Sequence, residues 1–177
     1  MSFKERNIVI TSAARTAIGT FRGALKDMRA HDLGSIVIKE AIKKSNLKSN
    51  DIDDIIIGQV LTAGTGQNPA RQACIKAGLP IEKPAHTVNQ VCGSGLRSIA
   101  TGYQSIISND AKIVVAGGQE SMTNAPHTIN FRNDKKLDES KLVDTMMKDG
   151  LWDAFNGYHM GVTAENVAEK WKITRKE

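Results

Sequence analysis

Cysteine and aromatic residues are scarce in this chain of 177 residues, and long hydrophobic runs are missing. The two cysteines, Cys74 and Cys92, form no C-x-x-C pair and no cluster with histidine, which argues against a metal site or a disulfide framework. Aromatic residues make up 5% of the chain, which leaves little surface for stacking on single-stranded nucleic acid. The longest apolar stretches, at residues 55–58 and 113–118, are far shorter than the ~20 residues of a membrane-spanning helix.

Basic residues exceed acidic ones, which gives a net charge of +5 and a pI near 9.2. They are scattered, and their densest groups at residues 43–44, 135–136 and 172–176 each have Asp or Glu nearby. This pattern predicts a solvated surface rather than a nucleic-acid-binding face. No secretory apolar region follows Lys4, Glu5 and Arg6, so we expect a cytoplasmic protein with neither nucleic acid nor membrane as a partner.

Apolar periodicity over the first 120 residues predicts strands that alternate with helices. Runs of branched apolar residues predict strands at residues 8–10, 55–61, 85–91 and 112–117. Apolar spacings of three and four predict helices that begin at Asp32, at Pro69 and at about Cys92. The alternation indicates an α/β fold with a mostly parallel sheet that is covered on both faces.

The first and third predicted helices each carry their apolar residues at the spacing of one helix face. On the first helix this face consists of Leu33, Ile36, Val37 and Ala41. On the third helix it consists of Leu96, Ile99, Tyr103, Ile106 and Ile107.

The second helix has clear start and stop signals. Asn68 is a good N-cap, and Pro69 is tolerated at the first helical position because its missing N–H has no helical partner there. Gly78 is expected to end the helix. Its small-residue face consists of Ala70, Ala73, Cys74 and Ala77.

The chain changes character after residue 120. Residues 121–138 are polar and irregular and include a cluster at 133–136, and two helical stretches follow. We therefore expect an α-rich second segment that caps the first. Thr174 and Glu177 match a capping box, which announces a helix where the sequence stops and favours a truncated chain.

The segment Val-Asn-Gln-Val-Cys-Gly-Ser-Gly-Leu at residues 88–96 contains the candidate nucleophile, Cys92. It predicts an extended segment, a turn at Cys92 and a helix. The partial positive charge at a helix N-terminus favours a thiolate, and first-turn N–H groups can bind an oxyanion. Gly93 and Gly95 are expected to leave room for a substrate to approach the backbone. The arrangement resembles a nucleophile elbow with sulfur in place of oxygen.

Two other roles remain open for this segment on physical grounds alone. Cys92 can be a small buried hydrophobe. The Gly-Ser-Gly run at residues 93–95 can open a dinucleotide loop, although Ser98 stands where G-x-G-x-x-G requires glycine. Cys74 falls on the alanine-lined face and is expected to be structural.

The segment at residues 88–96 closely resembles the nucleophile segment of thiolases. Four further segments resemble thiolases as well, at residues 15–21, 64–73, 117–122 and 149–161. The resemblance runs from about Asn7 to the last residue. The Gly-Tyr-His-Met-Gly run at residues 157–161 is most similar to that of short-chain thiolases.

This resemblance implies an αβαβα layered fold, with residues 1–120 as the thiolase N-terminal half-domain and residues 121–177 as the start of a CoA-binding loop domain. It implies that Cys92 carries an acetyl group as a thioester, that a second acetyl-CoA attacks it, and that acetoacetyl-CoA forms. The Cys92 N–H would line the oxyanion hole. Leu151, His159 and Met160 match positions along the pantetheine channel. No cofactor is implied beyond the CoA thioesters, and the full-length protein is expected to be a homo-oligomer.

The chain also departs from the family pattern. Family members are more than twice as long, and their second half supplies a histidine, an asparagine-held water and a second cysteine for catalysis. We therefore expect this chain to be inactive alone. Arg22 and Gln119 replace a glycine and a methionine that are usual in the family. Residues 128–140 diverge where tetrameric members build their dimer–dimer contact, so dimer and tetramer both remain open.

Two alternatives to an active thiolase remain. A decarboxylating ketoacyl synthase shares the fold and a nucleophilic cysteine, but it has a different elbow pattern and needs no Gly-Tyr-His-Met-Gly segment. A non-catalytic half-protein or a dimerising module is the second alternative.

Overall fold

The computed structural model describes residues 7–132 and 138–177, so the polar cluster predicted at 133–136 lies outside the described residues. The chain divides into two compact units, Met1–Asn124 and Ala125–Glu177. The first unit alternates helices and strands: α1 (Ala30–Lys44), β1 (Asp54–Gly58), α2 (Pro69–Lys76), β2 (Ala85–Val88), α3 (Ser94–Ile107) and β3 (Val114–Gly118). A short 3-10 helix at Ser49–Asp51 precedes β1, and another at Met122–Asn124 follows β3.

The sheet of the first unit is parallel, with strand order β2-β1-β3. Ile55 on the central strand lies opposite Ala85 on one side and Val115 on the other. Ile55 and Ile57 pack with α1 and α2 in one buried cluster. Because side chains alternate along a strand, the intervening Ile56 faces the other side, where α3 contacts β1 and β3. The predicted parallel sheet with helices on both faces is therefore confirmed.

The start and end of α2 agree with the sequence prediction. The Asn68 side chain accepts a hydrogen bond from the Arg71 N–H at 3.1 Å, and Pro69 is the first helical residue. Gly78 follows the helix with φ +89°, a left-handed conformation that glycine adopts freely. The small-residue face of α2 is buried in the core.

The strand predicted at residues 8–10 is wrong. The segment is in no sheet, and Val9 and Ile10 are 70% and 81% exposed. The chain just beyond it docks on α1 instead, since the Ser12 hydroxyl donates to the Ala41 carbonyl at 2.8 Å. A strand needs a hydrogen-bonded neighbour, and the described sheet contains only β1, β2 and β3.

The apolar face predicted for α1 is displaced from the buried one. Ile38 and Ile42 are buried in the core, and Gly34 is buried on the same helix. Ile36, which belonged to the predicted face, is 50% exposed. The helix exists as predicted, but its buried face is shifted by about one residue along the sequence from the predicted apolar face.

The apolar face of α3 is not the face that packs on the sheet. Leu96 and Tyr103 are more than half exposed, whereas α3 turns its small residues to the sheet. These buried small residues are Ser94, Ser98 and Gly102. A Cβ on Gly102 would lie 3.0 Å from the Val114 side chain, so the close approach of α3 to β3 requires small residues on this face.

The second unit has little regular structure before its last helix. Its elements are β4 (His127–Thr128), a 3-10 turn (Glu139–Lys141), β5 (Val143–Asp144), a π-helical turn (Met146–Leu151) and α4 (Met160–Trp171). Strands β4 and β5 pair antiparallel. At the end of the chain the Glu177 carboxylate accepts from the Thr174 N–H at 2.9 Å, which is one of the two hydrogen bonds of a capping box, and from the Thr174 hydroxyl at 3.1 Å. In the part of the chain that the structure describes, no helix is long and apolar enough to cross a bilayer.

Candidate active site

Cys92 lies on a sharp turn between β2 and α3 and is exposed to solvent. Strand β2 ends at Val88, three residues earlier than predicted, because Val91 turns the chain with φ 48°. Gly93 then serves as N-cap, and the helix begins at Ser94. The carboxyl ends of parallel strands meet at one edge of a sheet, which is where ligands bind in open α/β proteins. The turn therefore presents the thiol at the carboxyl edge of this sheet.

A set of hydrogen bonds fixes the turn around Cys92. The Ser94 hydroxyl accepts from the Gln90 N–H at 2.8 Å and donates to the Val91 carbonyl at 2.6 Å. The Asn89 side chain accepts from the Val91 N–H at 2.9 Å. The Gly93 and Ser94 amides also donate back, to the Gln90 and Val91 carbonyls. These two amides are therefore occupied within the turn and are not free to bind an oxyanion.

Glycines allow the first turn of α3 to contact the strand ends directly. A Cβ on Gly58, the last residue of β1, would lie 2.4 Å from the Ser94 carbonyl carbon. A Cβ on Gly118, the last residue of β3, would lie 3.3 Å from the Gly95 Cα. Gly118 therefore allows the close approach of β3 to Gly95, whereas a Cβ on Gly95 itself would meet its nearest atom, the Gly118 nitrogen, at 3.7 Å. The sequence signal for these contacts was the glycine that ends β1 and the glycine that ends β3, and its meaning depends on how the strands pair.

The two thiols have opposite environments. Cys74 is fully buried in the core, and this burial raises the pKa of its thiol. Cys92 is exposed. The prediction that Cys74 has a structural position is consistent with its burial, and the alternative that Cys92 is a small buried hydrophobe is wrong.

Glu120, for which the sequence suggested no role, follows β3 at the same edge of the sheet. Its carboxylate accepts from the Val60 N–H at 2.9 Å and from the Leu61 N–H at 3.2 Å. Burial raises the pKa of this carboxyl despite these hydrogen bonds. Glu120 thereby ties the loop after β1 to the end of β3.

Both unusual residues of the first unit are accommodated locally. The Gln119 amide donates to the Gln59 side-chain oxygen at 2.8 Å, and a Cβ on Gly34 would lie 1.8 Å from the Gln119 Oε1. A glycine on α1 therefore makes space for this amide. Arg22 has φ 56°, in the left-handed region where the glycine usual in the family would be unstrained.

Leu151, His159 and Met160 lie together at the base of one loop in the second unit. Trp152 and His159 form an antiparallel bridge, which brings the two ends of the loop side by side. His159 caps α4, and its Nδ1 accepts from the Gly161 N–H at 2.8 Å. This acceptor role leaves Nε2 as the nitrogen that carries hydrogen in the neutral ring. Cys92, the other residue predicted for the site, belongs to the first unit and not to this one.

An exposed thiol at a strand–turn–helix junction is typical of α/β enzymes that hold an acyl group on a nucleophile. The family model "Thiolase, N-terminal domain" matches residues 8–177. The chain therefore belongs to the thiolase family.

Several relatives are named acetyl-CoA acetyltransferase. The chain is 57% identical to the enzyme from Rhizobium meliloti over 171 residues, which cover 97% of this chain and 44% of that enzyme. It is 50% identical to the cytosolic enzyme of Rattus norvegicus, with coverage of 96% and 43%. The chain thus spans less than half the length of these relatives.

A solved thiolase has the same fold. The chain superposes on the Acat5 thiolase from Ascaris suum, crystallised in complex with coenzyme A, with a TM-score of 0.87 and 42% identity. The match covers 94% of this chain and 44% of that one. The predicted fold class, a layered α/β thiolase N-terminal half, is confirmed.

Proposed function

We propose that this chain carries the nucleophile of a short-chain thiolase, which condenses two acetyl-CoA molecules to acetoacetyl-CoA and CoA or catalyses the reverse thiolysis. The observation that carries the proposal is the exposed Cys92 on a fixed turn at the carboxyl edge of the sheet. Relatives that are 50–57% identical and named acetyl-CoA acetyltransferase support it.

In the first step the Cys92 sulfur attacks the thioester carbonyl carbon of acetyl-CoA. A new S–C bond forms, the bond from that carbon to the CoA sulfur breaks, and CoA leaves as a thiol after it takes up a proton. The Cys92 N–H stabilises the oxyanion of the tetrahedral intermediate. In the second step another acetyl-CoA loses a methyl proton, and its carbanion attacks the acetyl-enzyme. A C–C bond forms, the bond from the acetyl carbon to the Cys92 sulfur breaks, and the proton lost from the methyl group is balanced by one that Cys92 takes up to leave as a thiol.

The second unit is proposed to begin the loop domain that holds the pantetheine of CoA. Leu151 and Met160 supply apolar contacts, and the half-buried His159 supplies a hydrogen-bond donor at Nε2. The coenzyme A bound in the Ascaris suum thiolase supports this assignment. We further propose a cytoplasmic homo-oligomer, dimer or tetramer, that uses no cofactor besides its CoA substrates.

Mass spectrometry of the acyl-enzyme tests the proposal. The complete protein, incubated with acetyl-CoA, is expected to carry one acetyl group on the peptide that contains Cys92. Cys92→Ala should abolish both this acetylation and thiolysis of acetoacetyl-CoA, whereas the matched Cys74→Ala should retain both. Acetylation or turnover that survives in Cys92→Ala overturns the proposal.

The 177-residue chain by itself is proposed to lack turnover. In the family, two further proton-transfer groups come from the second half, and each general acid or base contributes ~10²–10⁴-fold. A thiolysis assay of the purified chain beside a full-length thiolase decides this. Rates within about tenfold of each other would contradict it, since the missing groups are worth more than that.

A further inference from the structure

We propose that Ser94 is a positioning residue for Cys92: its hydroxyl holds the strained turn that presents the thiol and directs the Cys92 N–H. The inference rests on the proposed role of Cys92 as the nucleophile and adds a residue that acts through it.

The turn needs something to hold it. Val91 has φ 48°, in the left-handed region. A β-branched residue is a genuine outlier there, because its side chain crowds the backbone. Such a conformation persists only where the surrounding structure enforces it, and these sites are often functional.

The Ser94 hydroxyl bonds to the backbone on both sides of Val91. It accepts from the Gln90 N–H at 2.8 Å and donates to the Val91 carbonyl at 2.6 Å. Ser94 is only 4% exposed, so water has little access to replace these hydrogen bonds. Removal of the hydroxyl would leave the Val91 carbonyl with the Ser94 N–H at 3.1 Å and without the shorter bond from the side chain.

The bond to the Val91 carbonyl has a direct consequence for catalysis. The Val91 carbonyl and the Cys92 N–H belong to one planar peptide unit and point in opposite directions. A hydroxyl that fixes the carbonyl therefore fixes the direction of the N–H that is proposed to bind the oxyanion. The same peptide orients the Cys92 Cα, and with it the thiol.

Ser94 is itself held firmly enough to act as an anchor. Its backbone lies against Gly58, where a Cβ would come within 2.4 Å of the Ser94 carbonyl carbon. The other side-chain contact to the Val91 backbone comes from Asn89, which is exposed. Ser94 thus links the turn to the end of the central strand.

Ser98 provides a matched control one helical turn further on. It is fully buried, and its hydroxyl lies 2.6 Å from the Gly95 carbonyl and 2.7 Å from the Gly117 carbonyl. Ser98→Ala is thus the same chemical change at an equally buried site on the same helix. Its hydrogen bonds do not reach the turn.

The test compares Ser94→Ala with Ser98→Ala in the complete protein. We measure the single-turnover rate of Cys92 acetylation, the KM for acetyl-CoA and the thermal midpoint. Because displacement of a reacting group by about 1 Å can cost ~10²-fold, Ser94→Ala is expected to slow acetylation ~10- to 100-fold with little change in KM. Ser98→Ala is expected to lower the thermal midpoint comparably and to keep acetylation within about twofold, the range of a non-catalytic site.

Acetylation by Ser94→Ala at the wild-type rate, or an equal loss in Ser98→Ala, would overturn the proposal. Should Ser94→Ala fail to fold, the comparison moves to a Val91→Gly background, where glycine reaches this φ without strain. There the added Ser94→Ala change is expected to slow acetylation about threefold or more, and equal rates would overturn the proposal. Persistent acetylation in Cys92→Ala would instead reject the proposed function. If Cys92→Ala loses acetylation completely and Ser94→Ala is acetylated at the wild-type rate, only the role of Ser94 is rejected.

Discussion

Gly58 and Ser94 meet at the edge of the sheet with no room for a side chain between them. A Cβ on Gly58 would lie 2.4 Å from the Ser94 carbonyl carbon and 2.6 Å from the next amide nitrogen. These are backbone atoms of a helix, which cannot move aside as the end of a flexible side chain can. The absence of a side chain on the last residue of β1 therefore determines how closely α3 approaches the sheet. The turn that carries Cys92 is positioned with the helix.

Gly58→Ala is expected to destabilise the protein by about 1–3 kcal/mol, as over-packing does in a close-packed core. The urea unfolding midpoint measures the change. Gly117→Ala is the matched control, because a Cβ there would have nothing within 4 Å. It is expected to change stability by less than about 0.5 kcal/mol. Equal losses in the two variants would show that the contact between Gly58 and Ser94 is not the cause.

Cys92, and not Cys74, is expected to react with substoichiometric iodoacetamide in the complete protein. Cys92 is exposed, whereas burial both shields the Cys74 thiol and raises its pKa, which disfavours the reactive thiolate. Peptide mapping by mass spectrometry identifies the labelled cysteine. Activity should fall in proportion to the labelled fraction. Prior incubation with acetyl-CoA should protect the Cys92 thiol from alkylation. Labelling of Cys74 first would contradict the assignment.

Asp53 is expected to make stability depend on pH in the acid range. Its carboxylate accepts from the Lys112 N–H at 2.7 Å and from the Ile113 N–H at 3.0 Å, which holds its pKa below the ordinary value. Because the folded pKa is the lower one, this stabilisation is present above the unfolded pKa and is lost as pH falls through the folded pKa.

Asp53→Asn should therefore lower the free energy of unfolding at neutral pH by about 1–2 kcal/mol. The difference from wild type should shrink below about pH 4, which is near the unfolded pKa of an aspartate. Urea denaturation at a series of pH values measures it. Asp27→Asn, at an exposed position, is the control and should change stability little at any pH. A difference for Asp53→Asn that grows on acidification would refute the sign.

Gly161→Ala is expected to weaken binding of CoA substrates through His159. A Cβ at residue 161 would lie 2.9 Å from the His159 Nδ1, so the imidazole would have to move. A several-fold rise in KM for acetoacetyl-CoA is the expected result. Val162→Ala, at a half-exposed position on the same helix, should leave KM unchanged. An unaltered KM in Gly161→Ala would remove His159 from the proposed channel.

Local sequence signals predicted the elements whose causes are local. The cap at Asn68, the proline after it and the glycine at residue 78 act within one helix, and the structure has all three. The run Ile55, Ile56 and Ile57 predicted a strand buried on both faces, because a central parallel strand has no polar side.

The failures have non-local causes. Periodicity finds the apolar face of α3 but not what that face meets, and here Ser98 and Gly102 face the sheet while Leu96 is 74% exposed. The run at residues 8–10 reads as a strand, yet strand formation depends on a partner elsewhere in the chain. At the site, the position of Cys92 on a turn that leads into a helix was predictable from its motif. The strain at Val91 and the contact between Gly58 and Ser94 depend on how distant segments meet.

The sheet register also determines the order in which the segments around Cys92 can pack during synthesis. Ile55 pairs with Ala85 and with Val115, so both pairings close long stretches of chain, which slows folding. The N-terminal part of a chain leaves the ribosome first. Gly118, which packs on Gly95, emerges well after Cys92 has done so. The nascent chain therefore exposes Cys92 while the helix that follows it still lacks its contact with β3.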